Sequence, residues 1–177
     1  NPEELSVSDR NNIGYQYTDC PLYWISVIYL NFAEAKAEMG SLTQDDLNNS
    51  INKLQARAGL PAMTTTPDAD PANNMGGSNL IWEIRRCRRC ELIMDNWYRY
   101  WDLIRWHQLD KLDSTKYPNT MLGANVSNVP DCEEATKNGY IDASDAQIRT
   151  YEAKHYFYPI PTTQLTLNKN MKQNPGW

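Results

Sequence analysis

Residues 84–106 read Ile-Arg-Arg-Cys-Arg-Arg-Cys-Glu-Leu-Ile-Met-Asp-Asn-Trp-Tyr-Arg-Tyr-Trp-Asp-Leu-Ile-Arg-Trp, and this stretch decides the fold. It carries six arginines, three acids and three tryptophans in two helical segments with Asn96 near the joint. At about 100° per residue, Leu80, Ile84, Cys87, Glu91 and Met94 fall on one stripe, with Arg88 and Asp95 at its edge. Glu91 thus stands within an apolar face, where a carboxylate is penalised unless a cation meets it. We therefore expect a structural charge cluster in which Glu91 is buried and bonded to at least one of Arg57, Arg88 and Arg105. A nucleic-acid surface is disfavoured, because the net charge is −5 and no second basic cluster exists.

Upstream, a helix is predicted from about Leu22 to Met39, stopped by Gly40. It is apolar almost all round (Trp24, Ile25, Val27, Ile28, Tyr29, Leu30, Phe32, Ala33), which implies burial on several sides. Thr43 caps a second helix whose stripe is Leu47, Ile51, Leu54 and Ala58, ending at Gly59 and Pro61. Two such helices form an antiparallel hairpin of tetratricopeptide size, and one hairpin alone cannot bury both faces. Residues 1–21 lack periodicity and read as a tail or the stub of a preceding region. The start has neither an initiator Met nor an apolar signal core, so the chain is expected to be a fragment.

Downstream, the polar stretch 62–77 is a linker. Its Asp68-x-Asp70 lacks the glycine and distal glutamate of a calcium loop. Ser78 caps the third helix, and a fourth follows from about Trp97 to Leu109, with Trp97, Tyr100, Trp101 and Ile104 on a face assigned to the core. Residues 110–150 hold turn formers with little periodicity, a length uncommon for a loop without a role. Tyr158-Pro-Ile-Pro is extended, since residues before proline leave the helical region. The fold class is mostly α.

Composition narrows function further. The isoelectric point is near 5.0 and mean hydropathy is −0.70. The aromatics comprise eleven Tyr and six Trp but only two Phe, a skew toward half-wet surfaces and sugar-like ligands. Cys87-x-x-Cys90 has redox or zinc spacing, with Cys20 and Cys132 as conceivable further ligands. Both motif cysteines lie within a helix rather than at its N-terminus, so they read as free buried thiols. No metal or other cofactor is expected. His107 and His155 have no nucleophile motif beside them, and no phosphate-cradling glycine loop is present. Catalysis is not expected.

Several segments also resemble the SusD/RagB family of nutrient-binding outer-membrane lipoproteins of Bacteroidetes. Arg-Arg-x-Arg-Arg-x-Glu-Leu (85–92) followed by Arg-Tyr-Trp-Asp-Leu-Ile-Arg-Trp (99–106) is similar to its C-terminal signature. Residues 29–35, 51–61, 158–161 and 173–177 match in the same order, so the resemblance covers about 22–177. Cys87 stands where the family usually has glutamate, Cys90 replaces an aliphatic residue, and Asp95–Tyr98 replaces a Glu-Gly turn with about one extra residue.

The resemblance implies a tetratricopeptide-like α-α superhelix fragment with long loops, 22–177 being its C-terminal helical domain. It implies non-catalytic oligosaccharide binding for uptake through a SusC-like TonB-dependent transporter. It also implies an external outer-membrane location, through a lipid anchor that this chain lacks. The alternative is an interaction module that touches no ligand. Ligand contacts within this chain are expected from the 110–150 segment, where Tyr117 and Tyr140 stand near Asn119 without a helical commitment to packing.

Overall fold

The computed structural model describes residues 23–95, 97–130, 136–144 and 147–177. The expected tail 1–21, the joint residue Asn96, and Cys20 and Cys132 lie outside the described residues. The chain divides into two units, 1–93 and 94–177. The quoted stretch is split between them, its arginine-rich helix in the first and its aromatic helix in the second.

In the first unit, α1 spans Ile25–Glu38, α2 Gln44–Asn48, α3 Ile51–Arg57 and α4 Asn79–Glu91. Gly40 and Gly59 follow α1 and α3 at φ +66° and +69°, left-handed positions that L side chains avoid. Thr43 and Asp46 form a reciprocal capping box on α2. The single helix expected from Thr43 onward is divided at Asn49–Ser50. Ser50 leaves helical geometry at φ −130°, ψ −99°, and its hydroxyl donates to the Asp46 carbonyl at 2.5 Å. That local side-chain bond competes with the helical ladder.

The α1 helix packs against α3 and α4, burying Val27, Leu30 and Ala33 with Leu47, Ile51, Leu54, Trp82 and Ile84. Polar groups reach the same layer. Arg85 Nε donates to Glu34 Oε1 at 3.0 Å and its Nη2 to Glu38 Oε1 at 2.8 Å. Arg88 donates to Asn31 Oδ1 at 2.8 Å. Asn52 clamps the incoming linker by accepting from Met63 N–H at 2.7 Å and donating to its carbonyl at 3.1 Å.

Three expectations change here. The α1 helix is buried on one side only, with Trp24, Ile25, Ile28 and Phe32 exposed, because α3 and α4 both pack on the face of Val27, Leu30 and Ala33. On α4 the buried line runs through Ile84 and Arg88, so Arg88 is central rather than marginal. Met94 leaves the stripe and is fully exposed at φ +60°, since α4 ends at Glu91.

In the second unit, α5 spans Tyr98–Arg105 and α6 Thr162–Leu167. The face buried by α5 is Asp102 and Leu103, followed by Trp106 and Leu109. The tryptophans assigned to the core face are therefore outside it: Trp97 is 82% exposed at φ +60°, and Trp101 is 54% exposed. Leu103, Trp106 and Leu109 share the inner side, and that leaves Trp97 and Trp101 outward.

The stretch expected as a loop holds a small antiparallel sheet. Its strands are β1 Leu122–Asn125, β2 Thr136–Lys137 and β3 Tyr140–Asp142, in the order β1-β3-β2. Leu122 faces Asp142, while Lys137 faces Tyr140. Asn138 and Gly139, at φ +54° and +79°, join β2 to β3 in the two-residue hairpin geometry that Asn-Gly favours. A Cβ on Gly139 would meet Ser127 Oγ at 2.1 Å.

The buried Glu34 should matter more for stability than Arg57, the exposed member of its ion pair with Glu91. Its side chain is 4% accessible, whereas Arg57 is 65% accessible. Glu34→Ala should cost about 3 kcal/mol, the low end for breaking a buried pair, because Arg85 keeps Glu38. Arg57→Ala should cost about 1 kcal/mol or less. Urea denaturation of both variants checks this, and equal losses would contradict it.

Candidate functional site

The second unit pins its irregular chain with a few short side chains. Asp113 is buried, and its Oδ1 accepts from Thr115 N–H at 2.9 Å and from the Thr115 hydroxyl at 2.5 Å. Its Oδ2 accepts from Tyr151 N–H at 3.1 Å. These bonds, led by the Thr115 hydroxyl, hold the Asp113 carboxyl down at about 2. Ser114 exchanges bonds with Arg149: Ser114 N–H donates to the Arg149 carbonyl at 2.9 Å, and Arg149 N–H to Ser114 Oγ at 3.0 Å. Residues 113–115 and 149–151 are thereby fixed side by side. Nearby, burial raises the Tyr151 phenol to about 12, helped by its hydrogen bond with Tyr156.

Between this clasp and the sheet lies a cleft of about 210 Å³. Its apolar lining is Pro118, Met121, Leu122 and Ile148, and its polar lining is Ser114, Thr115, Lys137, Asp142, Ser144 and Gln147. The volume is below the roughly 300–1,000 Å³ of a drug-sized site and suits one ring or side group of a larger molecule. Ser144 donates through its N–H and its hydroxyl to Asp142 Oδ1, at 3.0 and 2.6 Å. The mixed lining fits a molecule with apolar faces and polar edges.

The residues expected to touch ligand flank this cleft and do not line it. Tyr117 is half-buried, and its hydroxyl accepts from Lys111 Nζ at 2.8 Å. The adjacent Pro118 reaches the cleft. Asn119 is exposed in the 3-10 turn Pro118–Met121, and Tyr140 is 36% exposed on β3 opposite the lining residue Lys137. The lining residues Lys137, Asp142 and Gln147 were missed by sequence reasoning. Asn138-Gly139 was the available signal, because it marks the hairpin that carries the first two of them.

Of the expected charge cluster, Glu91 and Arg57 stay together, whereas Arg88 and Arg105 bond elsewhere. Arg57 Nη2 donates to both Glu91 oxygens at 2.6 Å, and Glu91 is 13% accessible. Arg88 is bonded to Asn31. Arg105 belongs to the second unit, where it meets Asp102 at 2.9 Å and lies over the Trp106 ring at 4.7 Å. The missed partner is Arg85, whose acids lie 51 and 47 residues away in sequence.

Of the motif cysteines, Cys87 is half-buried and accepts a long contact from Gln55 Nε2 at 3.9 Å, whereas Cys90 is exposed. The expectation that both are buried is corrected for Cys90, which the helical turn carries past the packed face. Both are free thiols, and no group of three His, Cys, Asp or Glu among the described residues could hold a metal. No helix among the described residues is long and apolar enough to cross a membrane.

The described residues thus form a predominantly helical fold with an open three-stranded sheet, consistent with a tetratricopeptide-like architecture. The sequence matches the SusD family over residues 5–177, and the chain belongs to that family. It is similar to the crystal structure of a SusD-like protein from Bacteroides fragilis, at 25% identity and a TM-score of 0.54. The similarity covers 86% of this chain and 25% of that one, so this chain spans about a quarter of the length of that relative. No curated protein matches.

Two measurements follow. Burial pushes the Cys87 thiol up to about 11, so at pH 8 it stays protonated. A disulfide reagent followed by peptide mass spectrometry should modify Cys90 at least tenfold faster than Cys87. The reverse order would contradict this arrangement. The depressed Asp113 carboxyl stabilises the fold above its ordinary value of 3.8, and that contribution is lost as pH falls toward about 2. Asp113→Asn should lower the melting temperature at pH 7 and shrink the remaining loss between pH 4 and 2, as followed by circular dichroism.

Proposed function

We propose that this chain binds oligosaccharide without catalysis and serves uptake through a SusC-like TonB-dependent transporter at the outer membrane. The SusD-family match over 5–177 carries this reading. In the proposed arrangement the protein works at the external face of the cell, held there by a lipid anchor. The cleft of the second unit supports a ligand contact within this chain. Pyranose rings have apolar faces and hydroxyl edges, which match Pro118, Met121 and Ile148 beside Asp142 and Gln147. We assign Tyr117, Asn119 and Tyr140 as contacts at the rim of this cleft. No cofactor is needed for such binding.

A second reading has its own support. Trp24, Ile25, Ile28 and Phe32 leave an apolar stripe exposed along α1, and a stripe of that kind suits a protein partner. Under that reading the chain is an interaction module with no ligand of its own.

Calorimetry with a panel of oligosaccharides separates the two. Tyr140→Ala and Ile148→Ser should each weaken the best ligand about fivefold or more while leaving the melting temperature within a few degrees. Unchanged affinity in both variants would place the ligand elsewhere, and co-purification with the transporter alone would favour the second reading.

A further inference from the structure

A helix that is apolar all round is stable when covered on both sides, and α1 is covered on one. The positions left open are not scattered. Ile25, Ile28, Phe32, Ala35 and the capping Met39 are all exposed, and they follow one another at spacings of three, four, three and four residues. That is the alternation of the two apolar positions of a heptad, the seam along which one α-helix takes another. The buried residues Val27, Leu30, Ala33 and Glu34 lie on the opposite side of the helix. The seam is thus separate from every contact that α1 makes within its unit.

Charge and spacing both favour a second copy as its cover. The charges bordering the seam are met inside the unit, Lys36 Nζ by Asp46 Oδ2 at 3.1 Å and Glu38 Oε1 by Arg85 Nη2 at 2.8 Å. A border neutralised in this way does not repel an identical copy. The spacing is self-complementary when two copies lie antiparallel about a two-fold axis at the level of residue 30. Ile28 of each copy then meets Phe32 of the other, and Ile25 meets Ala35. Trp24, also exposed, comes over the aliphatic stem of Lys36. A parallel pair would set Phe32 against Phe32 and Ala35 against Ala35, crowding one layer and opening a gap in the next. The exposed band has an apolar area on the order of 600 Å², the upper end for a monomer. Two such bands give about 1,200 Å², the threshold of a specific interface.

We propose that α1 is a dimerisation helix, two copies of this chain pairing antiparallel through Ile25, Ile28, Phe32 and Ala35. The pairing goes beyond the second reading above, which leaves the partner open, and it does not depend on glycan binding.

Analytical ultracentrifugation of the whole chain tests it and should show a monomer–dimer equilibrium in the micromolar range. Ile28→Glu and Phe32→Lys should each weaken association about a hundredfold, since each buries a charge without a partner. An equimolar mixture of these two variants should recover a dimer, because the carboxylate on one copy then faces the ammonium on the other. Met94→Glu, at an exposed position off the seam, should leave the equilibrium unchanged. A chain that stays monomeric throughout would overturn the proposal and leave the seam to a helix of another protein. A dimer untouched by both seam variants would overturn it too, placing the contact on a different face. Loss in each variant without recovery on mixing would overturn the antiparallel register. Circular dichroism of each variant checks that the fold is kept.

Discussion

The Arg85 guanidinium, held between Glu34 and Glu38, is the contact on which the first unit depends. Apolar packing alone is non-directional and would let α1 slide along α4 by a turn. Charges do not allow that freedom. Asn31 meets Arg88, while Glu34 and Glu38 meet Arg85. Rising numbers on α1 meet falling numbers on α4, so the two helices run antiparallel in one register. Shifting by a turn would leave Glu34, which is 3% exposed, facing apolar neighbours without its cation. The cost of an uncompensated buried charge then fixes what dispersion and area could not.

That register also accounts for two of the four arginines of α4. Arg85 and Arg88 face α1, Arg86 pairs with Glu83 one turn back and lies 5.8 Å from the Trp82 ring, and Arg89 is exposed, while Glu91 of the same helix receives Arg57 from α3. In a helix whose composition suggests a polyanion site, Arg85, Arg86 and Arg88 are instead used by acids and an amide of the same unit. The net charge of −5 already leaned toward that reading.

Helix existence was legible in the sequence because capping and stopping residues are local. Thr43, Ser78, Gly40 and Gly59 act where the pattern placed them. Burial was less legible, since periodicity tells which residues share a face and not whether a neighbour covers it. Ile28 and Phe32 share a helical face of α1 that is exposed, and Trp101 of α5 is likewise exposed, as are Trp24 and Trp97 at the two N-caps. Long-range pairing was illegible for a similar reason. Glu91 plainly needed a cation, but Arg57, Arg88 and Arg105 were equally good candidates until the helices were placed, and Arg85 gave no sign of reaching back 51 residues. The sheet escaped notice because strands of two to four residues are too short to show alternation.

The cleft shows why a site of this kind forms on irregular chain. A segment with little regular structure must satisfy its own backbone, and here short side chains do so: Asp113, Ser114, Asn125 and Asp142 each bond a nearby N–H. Their use in the clasp removes hydroxyls and carboxylate oxygens from the pool available to a ligand. Longer side chains that the clasp does not need, Lys137 and Gln147, retain their bonding capacity at the edge of a rigid frame. In the proposed glycan-binding reading, holding the frame falls to the short residues and meeting a ligand to the long ones. On that reading, substitutions at the long ones change binding without loosening the backbone, whereas substitutions at Asp113 or Ser114 act on the frame first.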